Sequence, residues 1–134
     1  MKKEEFIQCC KENGLDLTEQ QIHQYETYAQ LLKEWNEKMN LTAITEKRDV
    51  VLKHFADCLS LVPAVEWKAG MKVIDVGTGA GFPGIPVKIA CPEVEMTLLD
   101  SLQKRIGFLQ EVGTQLNLDG VEYVHSRAED GGQN

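Results

Sequence analysis

The sequence has 134 residues, 43% apolar and 26% charged, an ordinary globular composition at the usual size of one domain. Those proportions exclude a disordered chain, and the longest apolar stretches, 61–65 and 96–99, fall far short of the roughly 18 residues of a membrane helix. The net charge of −7 is spread over 1–67 (8 basic against 12 acidic) and 68–134 (6 against 9), so composition alone shows no basic footprint for nucleic acid.

The chain opens Met-Lys-Lys-Glu-Glu, and no apolar core of roughly 7–15 residues follows, so no secretory signal is expected and the cytoplasm is the expected location. The first 62 residues read as helices. Lys3 to Asn13 forms a short one that stops at Gly14, a residue suited to a left-handed helix end. Thr18 with Gln21 is a capping-box pair, and Ile22, Tyr25, Tyr28, Ala29, Leu32, Trp35 and Met39 then recur every three or four residues as one apolar face. A third helix starts at Thr45-Glu46-Lys47-Arg48, points Val50, Val51, Phe55, Cys58, Leu59 and Val62 inward, and is stopped by Pro63.

From Lys72 the period changes. Val73–Val76 reads as a short buried strand, broken by Gly77-Thr78-Gly79-Ala80-Gly81; Pro83 suits the first position of a helix reaching about Cys91. A second strand, Met96–Leu99, ends on Asp100. Ile106, Leu109, Val112 and Leu116 mark another helix, and Val121–His125 a third strand. Strand, helix, strand, helix, strand predicts a right-handed parallel unit, so the expected organisation is a helical extension over 1–67 and a Rossmann-like α/β segment over 68–134. Cys9, Cys10, Cys58 and Cys91 show no zinc spacing and His23, His54 and His125 are scattered, so no metal site is expected and the thiols read as small apolar fillers.

The chemistry-bearing segment is VIDVGTGAGFPGIP, 73–86. Glycines at 77, 79 and 81, directly after a strand and before a helix, allow a sharp turn with bare main chain at the strand's carboxyl end, where an adenosine-bearing ligand can lie. Asp100 ends the next strand, where a carboxylate can accept both ribose hydroxyls. Gly79 to Gly84 also satisfies the Gly-x-Gly-x-x-Gly dinucleotide pattern, so NAD competes with S-adenosylmethionine. Pro83 and Pro86 lack the N–H groups a pyrophosphate would need, and Asp75 would repel phosphates. The same carboxylate suits a ligand that carries an ammonium and a sulfonium. Asp75 can equally orient the loop by accepting backbone N–H groups, and both roles can hold together. Arg127-Ala128-Glu129-Asp130, after the third strand, reads either as a solvated turn or as part of the rim facing the adenine.

The segments WNEKMNLTAITEKRDVVLKHFADCL (35–59), VIDVGTGAGFPGIPVKIACP (73–92), LLDSLQKRIGFLQ (98–110) and SRAED (126–130) closely resemble the ribosomal RNA small-subunit methyltransferase G family, also called glucose-inhibited division protein B. The resemblance covers essentially the whole chain. It implies a bacterial, S-adenosylmethionine-dependent class I methyltransferase acting on N7 of a guanosine in 16S rRNA, while the short apolar stretches give no expectation of a membrane partner. It also implies that Gly77 and Phe82 contact the cofactor, that Ala128 and Glu129 lie on its adenine side, and that Asp100 is the ribose acceptor. Members of that family run on well past this length, in a sheet ordered 3-2-1-4-5-7-6, so the expectation is a truncated sheet holding only its first three strands. The first strand then becomes an apolar open edge, which predicts self-association. By resemblance the intact enzyme is expected to be a monomer and the truncated chain inactive.

N7 of guanine carries a lone pair and no proton, so no general base is required and no catalytic residue is assigned. Lys47, Arg48, Lys53 and His54 form a local cationic run that reads as an RNA contact or as an ordinary solvated helix face. The family pattern around His54 and Asp57 points toward the rim of the active site. An NAD-linked oxidoreductase and a non-catalytic truncated binding module stand as the alternatives.

Overall fold

The computed structural model describes residues 2–39, 48–60 and 62–126. Three helices come first: α1 (Lys3–Glu12), α2 (Glu19–Met39) and α3 (Arg48–Leu59), followed by a single 3-10 turn at Val62–Ala64. Then β1 (Lys72–Val76), α4 (Gly84–Ala90), β2 (Glu95–Asp100), α5 (Gln103–Leu116) and β3 (Val121–His125) alternate.

Local chemistry accounts for the boundaries. Gly14 follows α1 at φ +80°, the left-handed conformation that ends a helix without a Cβ penalty. At the start of α2, Thr18 N–H donates to Gln21 Oε1 at 2.8 Å and Gln21 N–H donates back to Thr18 Oγ1 at 3.1 Å, the reciprocal capping box. Three expectations shift. The third helix ends at Leu59 rather than running to Pro63, with Ser60 Oγ donating to Asp57 O at 2.6 Å at its end; Val62 is buried from the 3-10 turn instead. Pro83 caps α4 from outside rather than occupying its first position, and Cys91 lies just beyond the helix at φ −125°. The strand Val73–Val76 is not buried throughout: it alternates, with Ile74 and Val76 open to solvent.

The three strands pair in parallel in the order β1-β2-β3. Two right-handed crossovers stepping the same way put both connecting helices on one face. The register confirms it. Asp75, Leu98 and Tyr123 are aligned partners, Leu98 packs toward Gly84 of α4, and Tyr123 packs toward Gly113 of α5. Helix α2 lies over α4 and α5, where Gln21 Nε2 donates to Ile89 O (2.9 Å), Tyr25 Oη to Pro86 O (2.8 Å) and Gln24 Nε2 to Leu116 O (2.8 Å). One hydrophobic core runs from Phe6 and Tyr25 through Phe55 to Leu98 and Leu109, so the helical segment and the sheet share it.

The opposite face is different. Parallel sheets normally bury both faces, yet Ile74 is 59% and Val76 51% exposed, and β1 is an edge strand among the described residues. The expected apolar open edge is therefore present. Lys88 is the other unusual feature, a lysine 2% exposed whose Nζ donates to Pro92 O (2.7 Å) and Val94 O (2.6 Å) and so ties the end of α4 to the approach to β2.

Candidate functional site

The chain leaves β1 at Val76 and turns at once along the carboxyl ends of β1 and β2. Leu99 O accepts from both Gly77 N–H (2.9 Å) and Thr78 N–H (3.1 Å), so the loop begins as an extension of the ladder. Thr78 O then accepts from Gly81 N–H (3.0 Å) and Phe82 N–H (3.1 Å), closing a tight turn. Two carboxylates hold this turn from below. Asp75 Oδ2 accepts from Thr78 Oγ1 (2.7 Å) and Gly84 N–H (3.0 Å), while Asp100 Oδ2 accepts from Gly79 N–H (2.8 Å).

The glycines divide into two roles. A Cβ on Gly84 would sit 2.5 Å from Leu98 Cδ2 and 2.8 Å from Asp75 Oδ2, and one on Gly81 would sit 2.6 Å from Tyr28 Oη, so these two permit inward packing. Gly77 and Gly79 face open space, with nothing within 4 Å of a Cβ. Both take positive φ, +69° and +62°, and they present bare backbone on the outer side, where a ligand can approach.

Asp75 performs the loop-orienting role. Burial pushes its carboxyl above the ordinary carboxylate range; the Thr78 hydroxyl and the Gly84 amide pull it down, and the nearby Asp100 charge adds to the rise. Asp100 is 1% exposed and more heavily engaged than a bare ribose acceptor would be. Besides Gly79, its Oδ1 accepts from Leu102 N–H at 2.9 Å and lies 3.5 Å from Arg105 Nη1. Phe82 is half-buried, with the His54 ring edge-on at 4.3 Å and the Phe55 and Tyr28 rings at 5.9 Å. Burial lowers the His54 pKa, partly opposed by the charge of Asp57.

The structure thus gathers Asp75, Gly77, Gly79, Gly81, Phe82, Asp100 and His54 around one loop. Lys53 is exposed on α3 beside His54, and Arg48 opens that helix. Lys47, Ala128 and Glu129 lie outside the described residues. Ser126 N–H donates to Asp100 O (3.0 Å), so the chain leaves β3 at the same end of the sheet. Sequence reasoning missed Tyr28, Thr78 and Arg105 as site residues. Tyr28 falls in the apolar stripe of α2, and a stripe carries no signal about a hydroxyl.

What this loop can do chemically follows from where its amides point. The N–H groups of Gly77, Thr78, Gly79, Gly81, Phe82, Gly84 and Ile85 donate to acceptors inside the protein, Pro83 has none, and Ala80 N–H is the exception with no such bond. A pyrophosphate cradle needs such groups free and converging on the anion. The arrangement suits a ligand laid against uncharged backbone over two carboxylates. Among the described residues, no cluster of His, Cys, Asp and Glu is placed to hold a metal ion.

The family model described as GidB, rRNA small subunit methyltransferase G, matches residues 21–134. Among curated proteins, the ribosomal RNA small subunit methyltransferase G of Clostridium perfringens (strain SM101 / Type A) is 56% identical over 122 residues, covering 91% of this chain and 51% of its own length. The protein of the same description from Leuconostoc mesenteroides is 53% identical over 137 residues, covering 100% of this chain and 57% of its own; that from Lysinibacillus sphaericus is 48% identical over 134 residues, covering 100% and 56%. The chain spans about half the length of the curated relatives it matches. With the glycine loop, the parallel sheet and the matched residues all in agreement, the chain belongs to the rRNA small subunit methyltransferase G family.

Proposed function

We propose that this chain carries the S-adenosylmethionine-binding half of a methyltransferase that modifies N7 of a guanosine in 16S rRNA. The observation that carries this reading is the loop whose amides, that of Ala80 excepted, are already spent inside the protein. It favours a phosphate-free, cationic cofactor over a dinucleotide. Gly77 and Gly79 offer the open backbone, Asp75 supplies negative charge beneath it, and Asp100, held by Gly79, Leu102 and Arg105, is assigned to the ribose by its match to the family motif. Gly81 and Phe82 complete the loop, and Ala128 and Glu129 are assigned to the adenine side by their match to the family motif.

When bound, this cofactor supplies an electrophilic methyl group on a sulfonium. The protein's task is alignment, because the N7 lone pair attacks without losing a proton; orientation of this kind accounts for about 7–11 kcal/mol of a barrier in favourable cases. Arg48, Lys53 and His54 on α3, with Lys47 preceding them, are proposed to meet RNA near the loop. Packing of His54 against Phe82 supports that placement. An rRNA substrate places the protein in the bacterial cytoplasm, and no helix of the described residues is long and apolar enough to cross a membrane.

The test is a chimera joining residues 1–134 to the second half of the Clostridium perfringens relative. Incubated with methyl-labelled S-adenosylmethionine and small ribosomal subunits, it should transfer label to 16S rRNA at a site cleaved by borohydride and aniline, the chemistry of N7-methylguanosine. The 134-residue chain alone should show no turnover. A folded, cofactor-binding chimera that labels no RNA would contradict the substrate assignment.

A further inference from the structure

We propose that Tyr28 is a positioning residue for the glycine loop, through the bond from its hydroxyl to Ala80 O; its consequence for cofactor affinity rests on the S-adenosylmethionine reading. Tyr28 stands on α2, 52 residues before Ala80, yet its Oη donates to Ala80 O at 2.5 Å. That bond turns the Ala80 carbonyl inward and leaves the other end of the same peptide, Gly81 N–H, aimed at Thr78 O at 3.0 Å. A single hydroxyl therefore fixes the peptide plane at the centre of the turn.

The hydroxyl is held stiffly. The Tyr28 ring is stacked on Phe55 (5.0 Å, interplanar 9°) and flanked by Phe82 at 5.9 Å and Phe108 at 6.5 Å, and the residue is fully buried. Ala80 is itself only 3% exposed, so without Tyr28 its carbonyl has no access to water in this orientation and the peptide is driven to rotate. The fit is mutual, since Gly81 leaves no room for a side chain against Tyr28 Oη. Packing does not explain the hydroxyl, because phenylalanine would serve the apolar stripe of α2 equally well. Its partner does.

Tyr25 supplies the internal control. It lies one turn earlier on α2, is equally buried, and donates through its hydroxyl to Pro86 O at 2.8 Å, within α4 and beyond the turn. Tyr28→Phe and Tyr25→Phe each remove one oxygen and keep the ring. Both variants should lose similar stability in urea. Only Tyr28→Phe should speed amide exchange at Gly81 and Phe82 and weaken S-adenosylmethionine binding about 5-fold in calorimetry, the effect of one net hydrogen bond. Tyr25→Phe should match the wild type in both readouts. Wild-type exchange and affinity in Tyr28→Phe, or equal weakening in the two variants, would overturn the proposal. If the wild type binds no S-adenosylmethionine while Tyr28→Phe still speeds exchange at Gly81 and Phe82, the cofactor reading fails and the positioning of the loop by Tyr28 stands.

Discussion

Asp75 tests the loop most sharply, because one oxygen atom carries two of its bonds. Asp75→Ala removes the acceptor for Thr78 Oγ1 at 2.7 Å and Gly84 N–H at 3.0 Å, and Thr78 is only 3% exposed. A hydrogen bond to a charged group contributes about 1.5–3 kcal/mol. Asp75 is half-buried and borders a cleft of about 240 Å³ beside β1, so water can reach part of the gap. That places the expected loss at about 2–4 kcal/mol for the two bonds together. Asp75→Asn keeps an oxygen acceptor and removes a charge that burial disfavours, so near neutral pH it should lose far less than Asp75→Ala, about 1 kcal/mol at most. The pH dependence has a definite sign. The folded carboxyl titrates above its unfolded value because of burial, so its contribution is full below the unfolded pKa and is lost as pH rises through the folded one. The wild type should therefore gain on Asp75→Asn as pH falls across that window. Urea unfolding followed by tryptophan fluorescence, near neutrality and in acid, measures both effects. An Asp75→Ala variant within about 0.5 kcal/mol of wild type, the size of an ordinary surface substitution, would refute the account of the loop.

Other predictions follow from single features. Thr18→Ala breaks the capping box and should cost about 1 kcal/mol in urea unfolding, with helix α2 otherwise intact by circular dichroism. Lys88→Met leaves the carbonyls of Pro92 and Val94 without a donor and should cost about 2 kcal/mol by the same measurement, even though the buried charge is removed. The open β1 edge, with Ile74 and Val76 more than half exposed, should pair with a second copy of the chain. Sedimentation should show concentration-dependent association, reduced by Ile74→Lys; a monomer at every concentration would contradict this.

Much of the fold was legible where local chemistry decides it. Thr18 and Gln21 announce a helix start by residue type, Gly14 announces a stop, and the strand Val121–His125 was found to the residue because its flanks change character abruptly. Boundaries not marked by residue type were not legible: α3 ends at Leu59, four residues before Pro63. The site was legible as a motif but not as a division of labour. Four glycines look alike in sequence. Only neighbours distant in the chain, Tyr28 and Leu98, distinguish the inward Gly81 and Gly84 from the open Gly77 and Gly79. The same holds for Asp100, whose bonds to Gly79 and Leu102 and ion pair with Arg105 add a structural role that strand-end position alone does not suggest. Periodicity encodes which face is apolar and says nothing about a tyrosine hydroxyl, so the reach of α2 into the loop emerges only from the packed structure.

The glycine loop, with its amides other than Ala80's turned inward, is proposed to accept a phosphate-free cationic cofactor and to reject a dinucleotide. Calorimetric titration of the 134-residue chain with S-adenosylmethionine and, in a matched cell, with NADH tests it directly. Saturable one-site heat is expected with S-adenosylmethionine and none with NADH; saturable NADH binding with a silent S-adenosylmethionine titration would contradict the proposed cofactor.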